Sequence, residues 1–281
     1  MKPESEHMST NLPYAANCSL LFKEVDLLER PAAAKAAGFD AIEFWWPWPD
    51  QPVPSDSAVD DFVAAVKDSG ASLIGLNFFA GDLVGPDCGV LSIPARSAQF
   101  TDNIDVAIGI GEALGVGAFN ALYGNRVDSV DPGEQDALAV DNLAFAARAA
   151  ARLGATVLVE PVSGAPRYPL LTAADAVTAI GRVPADNVRL LADLYHLAIN
   201  GDDVDAVIAR HAGGIGHVQV ADAPGRHQPG TGRLPIGRWL AALDDAGYAG
   251  WVGLEYVPDG PSAASLDWLP RDARTTREIS A

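Results

Sequence analysis

Four oxygen-bearing side chains recur at one structural position along this sequence. Glu160, Asp193, Gln219 and Glu255 close or nearly close the apolar runs Thr156–Glu160, Val188–Asp193, Ile215–Val220 and Trp251–Glu255. Successive members lie about 30 residues apart, the length of one strand–helix repeat. A carboxylate at the end of an apolar run is costly to bury without a partner. Three at close range repel one another unless a cation lies among them. Oxygen ligands without a thiolate favour a hard ion, Mg²⁺ or Mn²⁺. Taken singly, such a glutamate is as often an ion pair or a helix-cap partner; four in successive repeats are a stronger signal. His196, three residues beyond Asp193, is expected in a loop above this group, suited to hydrogen-bond a substrate oxygen. His217 shares the strand face of Gln219 by its two-residue spacing and is expected one layer deeper, as a satisfied core group or a support for the ligands. His7, His211 and His227 are given no role.

The elements that must hold these residues follow a repeating order: an Ala-rich helical run, a glycine, then a short apolar strand. Leu27–Ala37, Gly38 and Phe39–Phe44 are the first instance. The order returns at Gly70 with Ser72–Asn77, Gly115 with Ala118–Leu122, Gly154 with Thr156–Glu160 and Gly247 with Trp251–Glu255. Glycine just past a helix accepts the left-handed conformation without a Cβ penalty. With Tyr14–Cys18, Val188–Asp193 and Ile215–Val220 there are eight strands, each followed by a plausible helix; the one between the sixth and seventh strands starts near Asp202. Such alternation implies parallel pairing through right-handed crossovers. The expected fold is an α/β (β/α)8 TIM barrel over residues 13–281, after a flexible tail at 1–12. An open doubly wound sheet is weakened by Asn17-Cys18-Ser19-Leu20, which replaces the Gly-rich phosphate loop that fold places after its first strand. No nucleotide cofactor is therefore expected. In a barrel the chemistry gathers at the C-terminal strand ends, where the four residues fall.

Composition excludes other classes. The 281 residues carry 19 Lys+Arg against 37 Asp+Glu, a net charge of −18, which argues against nucleic acid or an anionic membrane as partner. Cys18 and Cys88 form no CxxC and no metal-finger spacing. There is no membrane-spanning run and no apolar signal core near Met1, so a cytoplasmic enzyme of small molecules is expected.

The strand ends resemble a known family. Glu160-Pro161, Asp193-Leu194-Tyr195-His196, Gly216-His217-Val218-Gln219-Val220-Ala221-Asp222 and Gly253-Leu254-Glu255-Tyr256 look like the hydroxypyruvate isomerase family, within the xylose isomerase-like barrels. Ala80-Gly81-Asp82, Ile93-Pro94-Ala95-Arg96, Pro229-Gly230-Thr231-Gly232 and Tyr248-Ala249-Gly250-Trp251 extend the likeness from about Tyr14 to the loop after strand eight. The resemblance implies one divalent cation held by Glu160, Asp193, Gln219 and Glu255. It implies that Glu160 and Glu255 double as acid and base, with His196, Arg226 and Glu43 binding substrate. The reaction implied interconverts hydroxypyruvate and tartronate semialdehyde through an enediolate. On the same site stand a 2-oxo-tetronate isomerase or ketose 3-epimerase and, more distantly, an inosose-type dehydratase.

Two positions depart from the family pattern. Leu76 stands where a His is expected, and Asn125 where a Lys is expected, with Arg126 beside it as a substitute charge. Both concern substrate identity more than the cation. The run Phe44-Trp45-Trp46-Pro47-Trp48-Pro49 suits a lid over the site equally with an oligomer contact or rim packing. Assembly into a homo-oligomer is left open.

Overall fold

Eight parallel strands pair in chain order and close β8 onto β1 in a computed structural model that describes residues 10–83 and 85–275. They are β1 (Tyr14–Asn17), β2 (Ala41–Phe44), β3 (Ser72–Asn77), β4 (Ala118–Asn120), β5 (Thr156–Val159), β6 (Val188–Asp193), β7 (Ile215–Val220) and β8 (Val252–Leu254). The strands are buried almost throughout, as a parallel sheet covered by helices requires. The outer helices are α1 (Arg30–Ala36), α2 (Asp56–Ser69), α3 (Ser97–Leu114), α4 (Pro132–Ala151), α5 (Ala173–Ile180), α6 (Leu194–Asn200), α7 (Val204–His211) and α8 (Ile236–Asp245). Gly38, Gly70, Gly115, Gly154 and Gly247, expected at helix ends, all have positive φ.

All eight expected strands form, several of them shortened. Trimming β5 and β8 leaves Glu160 and Glu255 one residue beyond the ladder, at the rim. Two connections differ from expectation. Beyond β8, the described residues hold only short 3-10 turns at Ala264–Leu266 and Arg271–Ala273, because Pro258, Pro261 and Pro270 interrupt the segment. Between β6 and β7 there are two helices, the first of which starts directly on Asp193. The Asp193 Oδ1 accepts from the backbone N–H of Tyr195 at 2.9 Å and of His196 at 3.4 Å, so one residue ends a strand and caps a helix. His196 therefore sits in the first turn of α6, buried, and not in a loop above the rim.

Register sets the level of the side chains. Asn17 pairs with Glu43, Asp193 with Gln219, Gln219 with Gly253, and Asn77 with Asn120. The tail expected over 1–12 lies outside the described residues up to residue 9, as does His7. Within the described part of that segment, Leu12 is buried and the Asn11 N–H donates to the Asp244 carboxylate. Among the described residues no helix is long and apolar enough to cross a membrane.

Candidate metal and substrate site

The strand ends bring Glu160, Asp193, His196 and Glu255 together, each offering one ligand atom within 4.8 Å of the others, and all four are buried. Gln219 joins them from β7. Its Nε2 donates to Glu43 Oε1 at 2.9 Å and to Glu255 Oε2 at 2.5 Å, while its Oε1 is buried without a hydrogen-bond partner. An acceptor left bare on an amide that touches Glu43 and Glu255 is out of keeping with a site closed on itself, since buried polar atoms are nearly always satisfied. It fits a hard cation, for which an amide oxygen and carboxylates are suitable ligands. The set Glu160, Asp193, Gln219 and Glu255 therefore passes a chemical test for such an ion.

The two glutamates are tethered unequally, Glu255 through both oxygens and Glu160 through Oε2. Glu255 Oε2 accepts from Asn17 Nδ2 at 3.0 Å, Trp45 Nε1 at 3.2 Å and Gln219. Glu160 Oε2 accepts from Asn120 Nδ2 at 2.7 Å. Glu255 Oε1 meets Arg226 Nη2 at 2.6 Å, and the same nitrogen reaches Asp193 Oδ2 at 3.3 Å. Glu43 lies lower in the barrel. It is 3% exposed, accepts from Asn17, Gln219 and His217, and is absent from the described wall of the cavity that Glu160 and Glu255 line. His217 meets Glu43 Oε2 at 2.6 Å, and so is a satisfied buried group.

His196 is oriented by Ser163, whose backbone N–H donates to Nδ1 at 3.0 Å. A backbone N–H can only donate, so Nδ1 is the acceptor and the neutral ring carries its proton on Nε2. That nitrogen lies 3.5 Å from Asp193 Oδ2 and 3.9 Å from Glu160 Oε1. In this tautomer His196 offers a donor, and the amide oxygen of Gln219 is the better fourth ligand. Arg226 is presented by a loop in which Asp222 accepts from the backbone N–H groups of Ala223, Gly230, Gly232 and Leu234. Arg226 itself has φ 57°, a left-handed conformation that a non-glycine residue holds only at a cost, and its guanidinium lies over the Tyr195 ring.

Burial dominates the electrostatics. It pushes Glu255 up to about 8; Asp193 and Glu43 add to the rise, while Arg226 and the Trp45 N–H oppose it. Burial, with Glu255 and Asp193 close by, drives Glu160 well above the usual carboxylate range. Two glutamates that resist ionisation beside a third carboxylate call for positive charge, and a cation would displace their protons. Burial lowers His196 to about 4, helped by Arg226 and opposed by Asp193. Arg226 is disfavoured as a cation by burial, yet Glu255 and Asp193 raise it above its ordinary value.

Above the cluster is a cavity of about 390 Å³. Glu160, His196, Arg226 and Glu255 line it together with Trp45, Asn77, Asn125 and Ser163, and among its described residues Arg226 is the one cationic side chain. The aromatic run divides its tasks. Trp45 forms cavity wall, while Trp46 and Trp48 stack edge-on at 5.1 Å and Trp48 packs on Phe62 at 5.6 Å. Arg126 does not supply the charge missing at Asn125, because Asp136 holds it at 2.7 Å outside the described cavity wall. Leu76 is buried in β3.

Sequence reasoning missed Asn17, Asn120, Ser163 and Asp222, while Trp45 belongs to the aromatic run read as suiting a lid. A signal existed for the asparagines: Asn17, Asn77 and Asn120 each end a strand, β1, β3 and β4, at the level where the carboxylates gather. The search for acids and histidines passed over them.

Comparison with known proteins agrees with this geometry. A family model described as xylose isomerase-like TIM barrel matches residues 31–272. A protein of Streptomyces coelicolor named "Putative hydroxypyruvate isomerase" is 54% identical, over 94% of this chain and 98% of its own length. A 2-oxo-tetronate isomerase of Cupriavidus necator is 34% identical, over 91% of this chain and 96% of its own. Among solved structures, one described as an AP endonuclease, family 2, from Brucella melitensis superposes with a TM-score of 0.82 at 33% identity, covering 92% of this chain and 97% of that one.

Proposed function

The chain belongs to the xylose isomerase-like TIM-barrel family and is an isomerase; from that premise we propose that it interconverts hydroxypyruvate and tartronate semialdehyde with a divalent cation, Mg²⁺ or Mn²⁺. The observation that carries the reading is the cluster of three buried carboxylates, Glu160, Asp193 and Glu255, joined by a Gln219 amide that touches Glu255 and keeps a bare Oε1, with Glu160 and Glu255 lining a small cavity whose described wall holds one cation, Arg226.

Moving a carbonyl to the neighbouring carbon requires a proton to leave C3 and another to arrive at C2. Glu160 and Glu255 suit these transfers because N–H donors fix Oε2 of each, while Oε1 of Glu255 is engaged by Arg226 alone. Burial raises the proton affinity of both, the direction that suits a carboxyl group to acid and base work. Glu160, Asp193, Gln219 and Glu255 would hold a divalent cation, which would supply positive charge against the negative charge developing on the substrate oxygens. Arg226 pairs with the substrate carboxylate, for which its guanidinium is the available fork. His196 donates its Nε2–H to a substrate oxygen without contributing charge. Trp45 and the buried wall exclude water from the reacting carbons.

The cavity favours one second reading. It is larger than a three-carbon keto acid requires, and Asn125, on its wall, has a buried Oδ1 without a protein partner. A further substrate hydroxyl would satisfy it, as in a 2-oxo-tetronate. A DNA substrate is disfavoured by the net charge of −18.

The experiment is a panel of hydroxypyruvate, 2-oxo-tetronates and free ketoses, incubated in D₂O with Mg²⁺ or Mn²⁺ and read by NMR. Isomer with deuterium at the new C–H supports the proposal. An epimerised ketose or a dehydrated product would replace it with epimerase or lyase chemistry.

A further inference from the structure

Beneath the cation ligands lies a network of hydrogen bonds that the reaction as described leaves unused. Two side-chain amides, Asn17 Nδ2 and Gln219 Nε2, each bridge Glu43 Oε1 and Glu255 Oε2. The second Glu43 oxygen is held by His217 Nε2 at 2.6 Å. Glu43 belongs to β2 and His217 and Gln219 to β7, so its carboxylate crosses the barrel interior. Gly253 on β8 makes that crossing possible: a Cβ there would lie 2.5 Å from Glu43 Oε1 and 2.6 Å from Oε2.

We propose that Glu43, braced by His217 and admitted by the missing side chain of Gly253, is a positioning residue that fixes the Gln219 amide with its carbonyl oxygen toward the cation. The inference rests on the cation-dependent reading above and deepens it. An amide has two unlike ends, and only one of them can ligate a cation. Glu255 Oε2 already accepts from the Trp45 indole N–H, which cannot donate from any other atom. Asn17 cannot be reversed either, since its Oδ1 accepts from the Ser19 backbone N–H at 3.0 Å. Glu43 Oε1 and Glu255 Oε2 are thus both acceptors. Whichever end of Gln219 lies between them must be the NH₂, leaving Oε1 to point away from Glu43, where it is buried and unpartnered. Without the Glu43 acceptor the amide has one tether fewer, and its reversed orientation, with the NH₂ toward the cation, becomes accessible. Partners that orient metal ligands in this way are worth about 10–100-fold in metal affinity.

The test is Mn²⁺ binding by calorimetry to the purified, chelator-stripped full chain, with near-UV circular dichroism as a check on packing. Glu43→Leu, which removes the acceptor at similar volume, is expected to weaken Mn²⁺ binding by about tenfold or more. Gly253→Ala changes no ligand and meets no backbone strain, since its φ is not positive; by displacing the Glu43 carboxylate it should weaken Mn²⁺ in the same direction. The decisive arm is a double-mutant cycle. In a Gln219→Ala background, Glu43→Leu should cost little further affinity, because the residue through which it acts is gone. Folded single variants that bind Mn²⁺ as the parent does overturn the positioning role. A Glu43→Leu loss that adds in full to that of Gln219→Ala overturns it too. A parent chain that takes up neither Mn²⁺ nor Mg²⁺ removes the cation reading itself and this inference with it, an outcome distinct from the other two.

Discussion

The backbone N–H of Ser163 points at Nδ1 of His196 from 3.0 Å, and that contact fixes how the imidazole can act. It holds the ring as the Nε2–H tautomer, while burial keeps the ring neutral down to about pH 4. In the unfolded chain a histidine takes its proton near pH 6.5. Above that pH both states are neutral and the contribution to stability is present in full. As pH falls from about 6.5 toward 4 only the unfolded state gains the proton, so stability is lost across that window. Long-range ¹⁵N–¹H NMR should show the Nε2–H form of His196 persisting at pH 5. A His196 titrating near 6.5, or carrying its proton on Nδ1, would contradict the assignment.

Asp222 gathers four backbone N–H groups of the loop that presents Arg226. Asp222→Ala leaves those donors without their shared acceptor and frees a loop that holds Arg226 at φ 57°. Each charge-assisted bond is worth about 1.5–3 kcal/mol, with water regaining part of the loss. We expect a drop in Tm of several degrees and a KM for carboxylate substrates raised roughly tenfold, with a smaller change in kcat. An unchanged KM would show that the loop holds Arg226 without Asp222.

Arg226→Ala separates charge recognition from chemistry. Loss of a charged hydrogen-bond partner worth about 1.5–3 kcal/mol corresponds to roughly 10–100-fold in KM for hydroxypyruvate or a 2-oxo-tetronate. A neutral ketose, lacking the carboxylate, should be affected far less. Equal increases for both would exclude Arg226 as the carboxylate anchor, since steady-state comparison of the two substrates cancels general damage to the site.

The fold was legible because its evidence is local and periodic. Apolar runs, glycine punctuation and helix lengths recur, and each reports a backbone requirement that neighbouring residues reveal. Glu160, Asp193, Gln219 and Glu255 were legible for the same reason, as polar endings of apolar strands. His196 was set in a loop because nothing before the structure revealed that Asp193 caps a helix on the next residue. The Glu43–His217 contact links residues 174 apart in sequence, and Ser163 reaches His196 across 33. Such pairings depend on barrel closure and on which side chains point inward together. They become visible only with the register in hand. Helix after β8 was expected from a repeat rule that Pro258, Pro261 and Pro270 override.

Glu160 and Glu255 should share the proton transfers, and each is replaceable by its amide with little change in shape. A positioned acid or base contributes typically about 10²–10⁴-fold. Glu160→Gln and Glu255→Gln should each lose turnover on that scale. Glu255→Gln is also expected to lower Mn²⁺ affinity, so its rate belongs at saturating Mn²⁺. A variant retaining parental kcat would remove its residue from the acid/base pair.

The central claim is that the buried carboxylates and Gln219 hold a cation needed for moving a proton between adjacent substrate carbons. Its most direct measurement follows hydroxypyruvate in D₂O by NMR with chelator-stripped chain, before and after Mg²⁺ or Mn²⁺ is returned. The account predicts no exchange and no product in the stripped sample, then tartronate semialdehyde carrying deuterium at C2 once the ion is restored. Full turnover by the stripped chain, or product formed without solvent deuterium, would contradict it.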